Sequence, residues 1–205
     1  GPEMTPVEIE AIVATACDLG VENVKLTGGE PLLREDVVEI VSRIAGHAAE
    51  VSLTTNGVLL EEKAQALRRA GLKRVNVSLH SIIPHTFKRI TGSDSLPEAE
   101  RGIGAALKSH LDPVKINMVV LRGLNDQEIL SMMDFTASLG AILQLIEFEP
   151  VQNDARYDWL SLHHDLTGIE RWLEENAVET CEREMHRRRK YYVEREGGLA
   201  CIEVV

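Results

Sequence analysis

Val24-Lys25-Leu26-Thr27-Gly28-Gly29-Glu30-Pro31 is the stretch on which the reading of this chain turns. Successive side chains of a strand point to opposite faces. Val24 and Leu26 therefore share one face, and Lys25 and Thr27 share the other. The two glycines that follow carry no Cβ, which predicts a sharp turn whose backbone can come close to a ligand. Glu30 sits at the strand's carboxyl end. Pro31 stops further pairing because it has no N–H. The same letters also describe an ordinary strand-to-helix turn with a solvated acid. They match neither glycine signature for phosphate, G-x-G-x-x-G or G-x-x-x-x-G-K-[ST].

The alternation recurs. Val51 and Leu53 alternate with Ser52 and Thr54. Val75, Val77 and Leu79 alternate with Asn76, Ser78 and His80. Val114, Ile116 and Met118 alternate with Lys115 and Asn117. Between these strands lie helical patterns. Thr5, Pro6 and Glu8 form a helix start, and that helix stops at Gly20. A second begins at Asp36, with Val37, Ile40, Val41 and Ile44 on its apolar stripe. Others are predicted over 61–70, near Thr86, over 96–109 and over 125–139, with a fifth strand over 142–148. Strand–helix alternation predicts a parallel sheet, either open and doubly wound or curled into a barrel. Parallel strands buried on both faces are near-continuously apolar, and these are not. A polar face repeated on four helix-flanked strands is best explained as the lining of a wet, ligand-holding lumen, so the expected class is α/β with a barrel or partial barrel.

After Phe148 the pattern changes. Residues 150–159 read as loop, 165–177 as a helix, and 178–194 and 199–205 as strands around Glu196-Gly197-Gly198. The expected organisation is a barrel core over 1–150 and a β-rich extension over 151–205. The chain has 205 residues and a formal charge of −11, which argues against nucleic-acid binding. No apolar run reaches membrane-spanning length and no signal peptide is visible. Cys17, Cys181 and Cys201 are scattered and odd in number, which suits a reducing cytoplasm better than a disulfide framework. They form no C-x-x-C pair, so these residues hold no complete cluster or zinc motif. Gly1-Pro2 reads as a cleavage scar or a loop remnant. The end on Val204-Val205, inside a strand pattern, leads to the expectation of a longer polypeptide.

Lys25 to Pro31, Thr54-Thr55-Asn56-Gly57, Asn76-Val77-Ser78-Leu79 and Lys115-Ile116-Asn117, in this order and spacing, resemble the radical S-adenosylmethionine enzymes. Within them they are similar to the GTP 3′,8-cyclase family of molybdenum-cofactor biosynthesis (the MoaA type). Phe87-Lys88-Arg89-Ile90-Thr91-Gly92 and Leu124-Asn125-Asp126 add to the likeness. The resemblance implies a partial (β/α)6 TIM-like barrel, S-adenosylmethionine and two 4Fe–4S clusters as cofactors, GTP as substrate, an electron donor, and often a homodimer. It implies a 5′-deoxyadenosyl radical that takes the ribose 3′ hydrogen, after which the carbon radical attacks C8 of guanine. It assigns Gly28, Gly29, Glu30, Pro31, Ser78, Asn117 and Glu149 to S-adenosylmethionine, and Lys25, Thr54 and Lys115 to GTP. Lys25 stands where the family has an arginine, which keeps the charge but loses bidentate recognition. Glu149 stands where the family contact is often a methionine. The family's cluster cysteines would precede Met4 and follow Val205, so the chain as it stands is expected to be catalytically silent.

Each candidate has a plainer alternative. Lys115 could pair with a core acid such as Glu147. His80 reads as a satisfied interior histidine, and His163-His164 as surface. His186-Arg187-Arg188-Arg189-Lys190 reads as a solvated strand face, with attraction for triphosphate as its functional alternative. Ser81-Ile82-Ile83-Pro84-His85 lacks the acid usual before the proline, which weakens a helix cap. Another radical maturation enzyme acting on peptide or haem, and a cluster-free nucleotide-binding barrel, are the competing functions.

Overall fold

The computed structural model describes residues 3–149, 159–182 and 189–205. In chain order the elements are α1 (Pro6–Asp18), β1 (Asn23–Leu26), α2 (Val37–Ile44), β2 (Glu50–Thr55), α3 (Leu60–Ala70), β3 (Arg74–Ser78), α4 (Pro84–Thr91) and α5 (Leu96–Lys108). They continue with β4 (Val114–Val120), α6 (Ile129–Leu139), β5 (Ile142–Glu147), α7 (Trp159–Leu162), α8 (Thr167–Asn176), β6 (Glu179–Glu182), β7 (Arg189–Arg195) and β8 (Gly198–Val204). They fall into two compact units, residues 1–78 with 95–114, and residues 79–94 with 115–205.

The first unit starts on the predicted capping box. The Thr5 hydroxyl accepts the Glu8 N–H at 3.3 Å, and the Glu8 carboxylate accepts the Thr5 N–H at 2.8 Å. Such caps are worth about 1 kcal/mol. β1, β2 and β3 pair in parallel, with Lys25 opposite Ser52 and Thr54 opposite Asn76. α1 packs on α2, α2 on α3, and α3 on α5. Val51, Leu53, Val75 and Val77 are buried on the apolar face. On the polar face Ser52 and Asn76 are buried as well, while Thr54 and Ser78 are half-buried. In this unit the polar face therefore opens toward the carboxyl ends of β2 and β3. α5 lies close over the turn after β2: a Cβ on Gly102 would stand 2.1 Å from the Gly57 carbonyl oxygen, and Gly57 itself has φ +84°.

In the second unit β4, β5 and β8 pair in parallel, and β7 and β6 add antiparallel. α6 packs on β5 and β8, and α8 on β7. The helix predicted from Asn125 begins as a 3₁₀ turn over Asp126–Glu128. The Asn125 side chain is occupied elsewhere: its amide donates to the carbonyls of His80 (2.7 Å) and Val119 (2.9 Å), and its oxygen accepts the Leu121 N–H at 2.7 Å. The strand predicted over 178–194 is present at its two ends, as β6 and β7. The predicted loop falls, up to residue 158, outside the described residues, as do His186, Arg187 and Arg188 of the basic run. No helix among the described residues is long and apolar enough to cross a membrane.

Candidate functional site

The Gly28-Gly29-Glu30-Pro31 turn is held by its acid. Glu30 Oε1 accepts the Leu32 N–H at 3.0 Å and the Thr55 hydroxyl at 2.7 Å, and Oε2 accepts the Asn56 N–H at 2.7 Å. The carboxylate thus caps the 3₁₀ turn Pro31–Leu33 and ties it to the end of β2. Neither Gly28 nor Gly29 lies in the left-handed region, and a Cβ on either would meet nothing within 4 Å. The turn therefore does not need glycine for its own backbone. The backbone bends at both residues, as the sequence suggests, without a left-handed φ, and the room they leave is available to a ligand. A cleft of about 460 Å³ borders them, with Leu26, Ile9 and Ile40 on its apolar side and Arg34 at its polar edge. Arg34 donates to both Asp36 oxygens at 2.8 Å and to the Met4 carbonyl at 2.9 Å. These hydrogen bonds hold the Asp36 carboxyl below its usual value.

Lys25, Thr54 and Ser78 lie on the same face of β1, β2 and β3, each two residues farther along its strand than the one before. Lys25 is exposed on the edge strand; Thr54 and Ser78 are half-buried.

Lys115 and Asn117 belong to the second unit. Asn117 is half-buried and its carbonyl accepts the Leu79 N–H at 3.0 Å. Lys115 is buried, and its ammonium donates to Glu203 Oε2, which also accepts the Gln144 amide at 3.1 Å. The acid that meets Lys115 is thus Glu203 and not Glu147, whose carboxylate accepts the Leu166 N–H at 3.2 Å. Glu203 went unread in the sequence. Its one signal is a lone acid between Ile202 and Val204 in an apolar strand. Glu149 lies beyond β5 and is exposed. His80 is an interior histidine: Nδ1 accepts the Val119 N–H at 3.2 Å, and burial lowers its pKa. His163 and His164 are half-buried rather than on the surface. His163 Nδ1 lies 3.0 Å from the Phe148 carbonyl, and His164 Nδ1 lies 3.7 Å from Asp126.

The cleft lies on the Leu26 face of β1, against α1 and α2, opposite to the face of Lys25, Thr54 and Ser78, so what the two faces share is the open backbone of the glycine turn. An iron–sulfur cluster does not fit the residues described. Cys17, Cys181 and Cys201 sit on α1, β6 and β8, and no group of three His, Cys, Asp or Glu among the described residues could hold a metal ion.

Residues 1–136 match the radical SAM superfamily. A protein of Thermococcus kodakarensis named probable GTP 3′,8-cyclase is 51% identical over 204 residues, which cover 99% of this chain and 66% of that protein. Proteins of the same name from Pyrococcus abyssi and Methanothermobacter marburgensis are 46% and 45% identical, over 98% and 99% of this chain and 66% of each relative. The chain thus spans 66% of the length of these relatives. Streptococcus suis SuiB, in a crystal structure bound to S-adenosylmethionine, superposes with a TM-score of 0.72 at 18% identity, over 85% of this chain and 40% of SuiB. A domain of a pyruvate-formate lyase-activating enzyme from Bacteroides vulgatus gives 0.53 at 20% identity, over 64% of this chain and 86% of the domain. At such identities the likeness shows the fold, the α/β class of the partial TIM-like barrel.

Proposed function

The chain belongs to the radical SAM superfamily, and we propose that it forms the barrel portion of a GTP 3′,8-cyclase of molybdenum-cofactor biosynthesis. The reaction converts GTP to (8S)-3′,8-cyclo-7,8-dihydroguanosine 5′-triphosphate. The observation that carries the proposal is 51% identity, over nearly the whole chain, to a relative named for that activity.

In this reading Gly28, Gly29, Glu30 and Pro31 hold S-adenosylmethionine, with Ser78, Asn117 and Glu149 as further contacts. Lys25, Thr54 and Lys115 contact GTP. Two features of the fold support these roles. The Glu30 carboxylate is oriented by three donors, and a carboxylate has about four acceptor positions, so it can still receive an amino group. Lys115 is fixed by Glu203, and an ammonium has three protons to give. Bound S-adenosylmethionine supplies the 5′-deoxyadenosyl group that takes the ribose 3′ hydrogen. What these residues contribute is placement and the exclusion of water around both ligands. The described residues do not hold a cluster. The reading also calls for an electron donor and a cytoplasmic setting that keeps thiols reduced, and it is compatible with the homodimer often formed in the family. The acidic charge speaks against a nucleic-acid substrate.

The test is anaerobic reconstitution of the full-length protein with iron and sulfide, followed by turnover with S-adenosylmethionine and GTP. Formation of 5′-deoxyadenosine together with the cyclic nucleotide is the expected result. 5′-Deoxyadenosine without GTP consumption would point to another radical maturation reaction. GTP binding with no 5′-deoxyadenosine would favour a nucleotide-binding barrel.

A further inference from the structure

Asn56-Gly57 is the only Asn-Gly pair in the sequence. Such a pair carries its own chemistry: the nitrogen of the second residue can attack the side-chain carbonyl carbon of the first, and glycine has no side chain to hinder the approach. The pair follows β2, with Asn56 exposed and Gly57 buried. Water and base therefore reach the side-chain amide, while the attacking nitrogen belongs to a buried residue. That nitrogen is also engaged. The Gly57 N–H donates to the Thr55 hydroxyl oxygen at 3.0 Å. Thr55 is itself buried, and its own proton goes to Glu30 Oε1 at 2.7 Å, which leaves a lone pair for Gly57. The surroundings keep the pair in this state. The Asn56 N–H donates to Glu30 Oε2 at 2.7 Å, and the Asn56 side-chain oxygen accepts the Val58 N–H at 2.9 Å. The Gly57 carbonyl accepts the Leu60 N–H at 3.1 Å. A Cβ on Gly57 would stand 2.8 Å from the Val77 side chain, so there is little room for the residue to shift.

We propose that Asn56 is a modification site, a latent point of deamidation that the hydrogen bonds from Glu30 through Thr55 to Gly57 keep closed. When those bonds open, the Gly57 nitrogen attacks Asn56 Cγ. A carbon–nitrogen bond forms, and the side-chain nitrogen leaves as ammonia with the proton that Gly57 gives up. Water then opens the resulting succinimide at either carbonyl, which leaves aspartate or iso-aspartate at position 56. The sequence of steps uses water alone and needs no oxidant or reductant. In the closed form the Gly57 proton is already given to a buried hydroxyl, where base does not reach it. Opening of this one bond is therefore the common first step of amide exchange at Gly57 and of the modification. Iso-aspartate lengthens the backbone of the turn and sets a new carboxylate beside Glu30, so the closed arrangement is not regained. The inference concerns the chemistry of the turn itself and stands apart from the choice of cofactor or substrate.

The experiment ages the full-length protein in mildly alkaline buffer, digests it, and follows deamidation and iso-aspartate in the peptide that holds residue 56 by mass spectrometry. Thr55→Val removes the acceptor of the Gly57 N–H, and Thr55→Ser keeps it. Wild type in enough urea to match the stability of Thr55→Val controls for general loosening, and wild type unfolded in urea gives the unprotected rate. Wild type and Thr55→Ser are expected to be modified slowly and the unfolded chain fast. Thr55→Val is expected to be modified about two- to tenfold faster than the stability-matched wild type, the factor that one hydrogen bond is worth. Exchange of the Gly57 amide should quicken by the same factor. Folded wild type modified as fast as the unfolded chain would overturn the inference, as would a folded Thr55→Val no faster than its matched control. If Thr55→Val does not fold, the wild-type Gly57 amide decides: slow exchange together with slow modification supports the inference, and exchange as fast as in the unfolded chain refutes it.

Discussion

Thr55 and Glu30 are joined by a 2.7 Å hydrogen bond in which the hydroxyl donates to the carboxylate. The same hydroxyl oxygen accepts the Gly57 N–H at 3.0 Å. One short chain of contacts therefore links the glycine turn after β1 to the turn after β2. The cofactor contacts proposed on the first turn inherit their position from this link.

Glu30→Gln tests the link. The amide nitrogen that replaces one oxygen would face a donor, either Asn56 N–H or the Leu32 and Thr55 pair. A partly buried donor left without an acceptor costs about 1–3 kcal/mol. Urea unfolding should show a loss of that size, and S-adenosylmethionine binding should weaken with it. Unchanged stability would mean that the carboxylate is not the fastener of this turn.

Gly29→Ala and Gly102→Ala should separate two uses of glycine. At Gly29 the added methyl meets nothing and the backbone is not left-handed. Stability should stay within about 0.5 kcal/mol of wild type, or rise slightly, while S-adenosylmethionine affinity falls. At Gly102 the methyl would run into the Gly57 carbonyl. Overpacking of this kind costs about 1–3 kcal/mol. Thermal denaturation and ligand titration of the two variants give the comparison; a destabilised Gly29→Ala with normal binding would refute it.

Lys115→Met should cost about 3–5 kcal/mol, because it removes the cation from beside a buried carboxylate. The double variant Lys115→Met/Glu203→Leu should recover much of that stability and none of the GTP binding. Chemical denaturation of the single and double variants measures the coupling. Independent, additive losses would show that the pair does not act as a unit.

His80 sets a pH dependence. Burial lowers its folded pKa, so the unfolded chain takes a proton first. The stability it contributes is present above about pH 6.5, the unfolded value, and is lost as pH falls toward the folded value, at up to about 1.4 kcal/mol per pH unit. His80→Asn keeps an acceptor for the Val119 N–H and removes the titration. The difference in unfolding free energy between the two proteins, followed from pH 8 to pH 5, should therefore narrow as pH falls. A constant difference would mean that His80 does not titrate in this range.

Much of the fold was legible because its strands alternate in period two and its first helix begins on a capping box. Val75, Asn76 and Val77 announce two faces by their letters, and Thr5 with Glu8 announces a helix start. What could not be read was pairing at long range. Nothing near Lys115 in the sequence indicates that its partner is 88 residues away, since Glu147 and Glu203 look alike as acids in apolar strands. Register decides between them: Gln144 and Glu203 share a face with Lys115, whereas Glu147, three residues beyond Gln144, lies on the opposite one. The glycine pair was legible as a bend, which the structure has at both residues; that neither takes a left-handed φ is not written in the sequence.

β5 has β4 as one parallel neighbour and β8 as the other, and β8 reaches it only after α7, α8, β6 and β7. During synthesis the open flank of β5 and the ammonium of Lys115 must therefore wait for β8 to leave the ribosome. Until then the nascent chain carries an unpaired edge and a lysine without its counter-ion. It is in that interval that this polypeptide is most exposed to misassembly and to chaperone capture.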